Sequence, residues 1–352
     1  MTKKDVSRAF AEDGAKKTHI GGQALLEGIM MRGKYNWALA VRKPDGSIYT
    51  EEGELASGKK KNSWLYWPVI RGCTAFVESL ALGFKTLSIA AEHAFDDEDE
   101  EEEFGDKEMV FSMVLGILLA VGLFIAVPAI ATNLLVGEYD DKTLAWNIVD
   151  GVIRVAIFVF YIWLVGRVSD IDRMFCYHGA EHKTIHCIEH GLPLTVENAR
   201  TFPCLHVRCG TAFLIMVMII ALIVYTLVPL DEFVRAMGIT ATVPKLILVM
   251  AVRILLLPVI AGFSYEVTVK WAGSHPESKL VRIVLWPGLQ MQRLTTHEPD
   301  DGMLECAIEA MKLVLAREER EAAKDNGSAC GPEKTEALVA EAAREGSSPS
   351  PK

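Results

Sequence analysis

VFSMVLGILLAVGLFIAVPAIATNLLVG, residues 110–137, carries no charged side chain. A helix needs roughly 20 apolar residues to cross the hydrocarbon core of a bilayer, and this stretch is longer than that. Three more stretches extend the reading. Residues 211–230 are also uncharged, and residues 148–165 and 246–265 include Arg154 and Arg253. Arginines so placed either snorkel or pair between helices, or they line a polar pocket inside the bundle. Pro128 is expected to kink or end the first span near its far side. The whole chain agrees with a membrane protein that has polar extensions: of 352 residues 51% are hydrophobic, yet the net charge is −10. Such an acidic chain suggests no nucleic-acid partner. Seven cysteines without scaffold spacing suit a reducing compartment rather than a disulfide framework. The polar, lysine-bearing start is followed by no signal-peptide core, so secretion by cleavage is not expected.

Loop charges orient the bundle. Between the first two spans, Lys142 is the single basic residue, whereas Arg167, Arg173, Lys183, Arg200 and Arg208 lie between the second and third. The positive-inside rule puts that second segment in the cytoplasm of a cell-membrane protein, and four spans bring both termini to the same side.

Polar regions flank the spans. A tail (1–19) precedes residues 20–67, where alternation around Pro44, Asp45 and Gly46 predicts a β-hairpin. Upstream of it, Gly21, Gly22, Gly28 and Gly33 imply bends or close packing around Glu27. Glu27 needs a basic residue, such as Arg32, or a metal if it is buried. In residues 68–95 the charges Arg71, Glu78, Lys85 and Glu92 recur every seven positions, a thin stripe that predicts an amphipathic helix at the interface or against the bundle. A fifth span is the rival reading. Eight consecutive acidic residues, 96–103, predict a solvated loop within 96–108. The spans fill 109–265, including a His-rich cytoplasmic loop (167–210). A C-terminal segment (266–325) contains an amphipathic helix with Leu304, Ile308, Met311 and Leu315 on its stripe. The tail 326–352 reads as disordered.

The chemistry is concentrated at Tyr177-His178-Gly179-Ala180-Glu181-His182, an H-x-x-E-H pattern. On a helix His178 and His182 sit one turn apart and can share a metal ion, with Glu181 placed to handle the proton of an activated water. The helix should stop at His190, before Gly191 and Pro193. His186 and His190 continue the spacing, but drift of about 40° per step keeps four histidines from converging. They read as surface or helix-end residues. A second cluster, Cys204-Leu205-His206-Val207-Arg208-Cys209, offers further ligands and an arginine suited to an anionic transition state. A third ligand is required; His206 is preferred over Glu27, Glu189, Glu197 and Cys209 because imidazole suits zinc.

Five stretches together resemble the YqhQ-like family of bacterial multi-pass membrane proteins, described as predicted metal-dependent enzymes. They are GGQALLEGIMMRG (21–33), VRKPDGSI (41–48), YHGAEHKTIHCIE (177–189), LTVENARTFPCLHVRCGTAFL (194–214) and WPGLQMQRLTTHEPDD (286–301). The resemblance implies roles for Gln23, Glu27, Arg32, His178, Glu181, His182, His206, Arg208 and Cys209. It implies none for Cys204, nor for His297, where the family pattern has arginine.

The sequence thus predicts a mainly α polytopic membrane protein with about four spans, an interfacial amphipathic helix and a small β-hairpin element. The expected function is a zinc-type hydrolase: His178, His182 and His206 as ligands of a divalent metal, Glu181 as general base, Arg208 steadying negative charge. Its surroundings are the lipid bilayer and an unidentified substrate or protein partner. The alternative is a non-enzymatic membrane assembly or regulatory factor whose cluster is structural or partner-binding. A transporter fits less well, because no repeat of the spans is visible.

Overall fold

The computed structural model describes residues 18–55, 69–95, 106–137, 143–228, 242–272 and 278–325, with isolated positions elsewhere. The acidic run and the C-terminal tail lie outside the described residues. As expected, the chain is mainly helical with a small antiparallel sheet near its start. Strands β1 (Gly21–Leu25), β2 (Gly28–Arg32), β3 (Asn36–Arg42) and β4 (Ile48–Glu54) form a meander in that order. The anticipated hairpin joins β3 to β4, where Gly46 adopts a φ of 84° and the Asp45 carboxylate accepts from the Ser47 amide at 2.8 Å. The glycine-bearing stretch before it is a second hairpin, β1–β2, rather than isolated bends. Glu27 stands at its tip with a φ of 47°, and its partner is Arg173, not Arg32. Arg32 instead reaches Glu78.

Alternation along β2 and β3 builds two cores, because successive side chains point to opposite faces. Ile29, Met31, Ala38 and Ala40 face Tyr177, Ala180, Leu304, Ala307 and Met311. Met30, Trp37, Leu39 and Val41 face Leu82, Leu87, Ala90 and Ala94 of helix α1 (Ile70–Ala94).

Helix α1 therefore lies against protein, and its charged stripe explains how. Arg71 pairs with Glu266, Glu78 with Arg32, and the Lys85 ammonium sits 4.8 Å from the centre of the Trp37 ring. Its first turns cross helix α7 (Thr242–Tyr265, extended by a π-helical segment Glu266–Trp271) where two glycines meet. A Cβ on Gly72 would come within 2.7 Å of Gly262 Cα, and one on Gly262 within 2.5 Å of the Val69 carbonyl. Small residues permit such backbone approach. Gly262→Leu should force the helices apart at a cost of about 1–3 kcal/mol. A thermal melt of the detergent-solubilised variant checks this, with Gly122→Leu as the control, since nothing among the described residues lies near a Cβ there.

By length and composition four helical stretches can cross a membrane among the described residues: Ile70–Ala94, Val114–Val136, Leu144–Val165 and Ile247–Thr268. Three match stretches read from the sequence. The remaining one is α1, read as amphipathic, whose second half is laid on the sheet. The stretch expected at 211–230 is helix α6 (Gly210–Leu227), whose apolar part Phe213–Leu227 is shorter. Apolar side chains on these helices are widely exposed, Leu134 at 83% and Leu255 at 76%, as a lipid environment allows. Helix α2 does not end at Pro128. It runs Asp106–Val121, widens into a π-helical turn at Gly122–Ala126, and continues as Val127–Val136. A wider turn just before proline accommodates the ring and the missing N–H. Inside the bundle both arginines pair. Asp150 of helix α3 (Thr143–Val165) accepts from Arg154 at 2.9 Å and from Arg253 at 3.0 Å.

Candidate metal centre

Helix α4 (Ser169–Glu189) carries the H-x-x-E-H pattern and stops as its sequence dictates, with His190 as cap and Gly191 at a φ of 67°. Asp170 and Asp172 complement the helix dipole in its first turn. Its second half is enclosed by the sheet, by the short helix α5 (Val196–Arg200) with the loop that follows, by the end of helix α8 (Lys279–Thr295), and by helix α9 (Asp301–Asp325). Lys183 fastens the loop: its buried ammonium donates to the Arg200 carbonyl at 3.1 Å and to that of Phe202 at 2.7 Å.

The two histidine rings of the pattern lie on one face, their centroids 4.6 Å apart. Each is oriented by a backbone carbonyl. His178 Nδ1 lies 2.8 Å from the Thr295 oxygen, and His182 Nδ1 lies 2.5 Å from that of Cys204. A carbonyl can only accept, so both Nδ1 atoms donate, and Nε2 is the nitrogen each ring would offer to a metal once deprotonated. His178 Nε2 is 3.1 Å from Cys209 Sγ, and the His182 imidazole faces the same thiol. Donor atoms of His178, His182 and Cys209 all fall within 4.8 Å of one another. Histidine ligands of metals are held in this way, with the second ring nitrogen donating to a fixed acceptor. Burial alone would raise the Cys209 thiol, but the facing charges of His178 and His182 bring it well below the ordinary range. Burial likewise opposes charge on His178, yet the Cys209 thiolate outweighs it and leaves that imidazole at about 9. The donor set is two imidazole nitrogens and a thiolate, which suits a zinc-class ion.

Glu181 is buried beside the pair, pressed against β1. A Cβ on Gly22 would lie 2.9 Å from Glu181 Cδ, so the glycine makes room for the carboxyl. Burial pushes that carboxyl above its usual range.

His206, preferred from sequence as third ligand, belongs to a different group. With His186 and Glu189 it makes a separate buried group whose donor atoms also lie within 4.8 Å of one another and could hold an ion. His206 Nε2 meets Glu189 at 3.3 Å, its Nδ1 accepts from the Arg208 amide at 3.3 Å, and its backbone is bracketed by Gln292 through bonds of 2.9 and 2.7 Å. Both ring nitrogens are engaged, and burial keeps the ring neutral by lowering its pKa. The side chain beside the pair is Cys209, the N-cap of α6. Arg208 is likewise engaged: its guanidinium pairs with Glu189. His186, read as a surface histidine, is fully buried with Nε2 bonded to the Leu205 carbonyl at 2.9 Å. Glu27 binds Arg173, and Glu197 is exposed on α5.

Glu189 gives the network a pH signature. Its carboxyl is raised by burial but lowered further by His206 and Arg208, so it ends far below the ordinary carboxylate range. A depressed carboxylate stabilises the fold above its unfolded pKa, and that contribution fades as pH falls toward the folded value. In denaturant titrations, wild type should exceed Glu189→Gln in stability at pH 7 and lose that advantage progressively below about pH 4.

Two comparisons with known proteins match the chain. Residues 67–317 fit the family model described as protein of unknown function (DUF1385). The chain belongs to the DUF1385 family. A relative from Bacillus subtilis (strain 168), uncharacterized protein YqhQ, is 33% identical over 310 residues, spanning 85% of this chain and 92% of the relative. No solved structure matches. In this DUF1385 chain the family region holds α1 to α8, the first two thirds of α9 and every donor of the three-residue group around His178, while the sheet that carries Gly22 precedes it.

Proposed function

We propose that the protein is a membrane-bound, metal-dependent hydrolase with its site at the cytoplasmic surface of the bilayer. The observation that carries this reading is the matched orientation of two imidazoles: each Nδ1 is tied to a carbonyl, and both rings face the Cys209 sulfur. A zinc-type divalent ion held by His178, His182 and Cys209 would polarise a substrate carbonyl and acidify a water. The residues around it do the rest. Glu181, raised by burial, takes a proton from the attacking water and returns it to the leaving group. Gly22 fixes the carboxyl's position. Arg208 acts through Glu189 by holding the turn before α6, rather than by meeting substrate charge. The cytoplasmic placement rests on the basic residues between α3 and α6. Peptides, amides and lipid-linked molecules are all suitable substrates for such a centre.

A second reading is favoured by one observation. Glu181, His182 and Cys209 are all buried, at 5%, 1% and 8% exposure, as in a closed structural site of an assembly or regulatory factor. Glu181→Gln separates the two. In the hydrolase, the variant retains its metal and loses turnover of ester and amide probe substrates. In a closed site with Glu181 as fourth ligand, the variant loses metal, and wild type turns over nothing.

A further inference from the structure

Another group of donors stands six residues, about 1.7 turns, before the first on α4. A carboxylate oxygen of Asp172, the sulfur of Cys176 and a ring nitrogen of His297 lie within 4.8 Å of one another. Asp172 and Cys176 repeat the four-residue spacing of His178 and His182, so they too share a helix face. His297 arrives from the strap that joins α8 to α9. That strap is clamped to α4: the His297 amide donates to the Phe175 carbonyl at 2.9 Å, and the His297 carbonyl passes so close to Gly179 that a Cβ there would sit 2.0 Å away. Unlike the buried centre, this group opens to solvent, with the Asp172 and His297 side chains 51% and 36% exposed.

We propose that Asp172, Cys176 and His297 form a second, solvent-accessible site for a zinc-class divalent cation. Mixed oxygen, nitrogen and sulfur donors suit that class, and three protein ligands leave a position for water. At present His297 Nδ1 and Asp172 share a hydrogen bond of 2.6 Å, the pairing such donors make when a proton stands where the ion would. An ion there ties the strap to α4 two residues beyond Thr295, whose carbonyl orients His178. The site needs neither His182 nor Cys209, so it stands independently of the hydrolase reading.

The test counts zinc on the full-length, detergent-solubilised protein, stripped with chelator and dialysed against the metal. His297→Arg keeps a charge partner for Asp172 but cannot ligate, and Cys176→Ser is nearly isosteric. Each should lower bound zinc by one equivalent while leaving the helical circular dichroism unchanged. His178→Ala with His182→Ala should remove a different equivalent, leaving the first in place. If His297→Arg and Cys176→Ser both bind as much zinc as wild type, the surface site is overturned. If wild type binds one equivalent that His297→Arg abolishes, the surface site stands and the buried centre falls. If wild type binds one equivalent that only the double histidine variant abolishes, the reverse holds.

Discussion

The Gly179→Ala variant is expected to bind metal at the buried centre about 10- to 100-fold more weakly than wild type, although it alters no ligand. The added methyl would lie 2.0 Å from the His297 carbonyl oxygen and 3.3 Å from Cys204 Sγ. The first of these is backbone and cannot rotate away, so the strap must move. Thr295 is two residues up the strap, and its carbonyl fixes the hydrogen of His178 on Nδ1. Displacing it frees the imidazole to rotate or change tautomer, and Nε2 is no longer held toward Cys209. Chelator competition on wild type and variant measures the effect. Gly116→Ala, where nothing among the described residues lies within 4 Å of the new carbon, should bind as wild type does.

Cys209→Ala and His206→Gln should part company. The first removes a ligand, and its affinity should fall by at least about 100-fold, beyond the range seen when only an outer partner is lost. The second breaks the bond to Glu189 and removes no donor of the centre, although the His206 ring lies 5.6 Å from that of His182. Metal affinity should stay near wild type, while unfolding free energy drops by about 1–3 kcal/mol for the buried partners left unsatisfied. Metal titration and denaturant unfolding on the same two variants give both numbers. An inverted result, with metal lost only in His206→Gln, would restore the histidine as third ligand.

What could be read from the chain, and what could not, follows from the range of the interactions. Uncharged runs and the H-x-x-E-H spacing are local, so α2, α3, α7 and the facing pair His178–His182 are legible in the sequence. So is the end of α4 at His190, set by Gly191 and Pro193. The hairpin at Pro44–Gly46 carries its own turn chemistry, but β1 and β2 do not. Their five-residue strands, each opening on glycine, show alternation only once β2 pairs with β1 on one side and β3 on the other. Helix α1 meets the composition of a span, and its charged stripe finds its partners on the sheet and on α7. The place of Cys209 beside the histidine pair was hidden for a different reason. His206 and Cys209 share one turn and both face α4; which of them lies beside His178 and His182, and which beside His186 and Glu189, depends on Gln292 bracketing the His206 backbone from a distant helix. The carbonyls of Thr295 and Cys204 leave no trace in side-chain identity. Arg173 as the partner of Glu27 was within reach, since both carry charge, but nothing local pairs a hairpin tip with the first turns of α4.

X-ray absorption at the zinc edge, on protein purified with its metal and carrying His297→Arg to silence the surface group, tests the centre most directly. The account predicts a first shell with one sulfur at about 2.3 Å and two imidazole nitrogens at about 2.0–2.1 Å. A shell of nitrogen and oxygen without sulfur, or a protein that retains no metal, would contradict it.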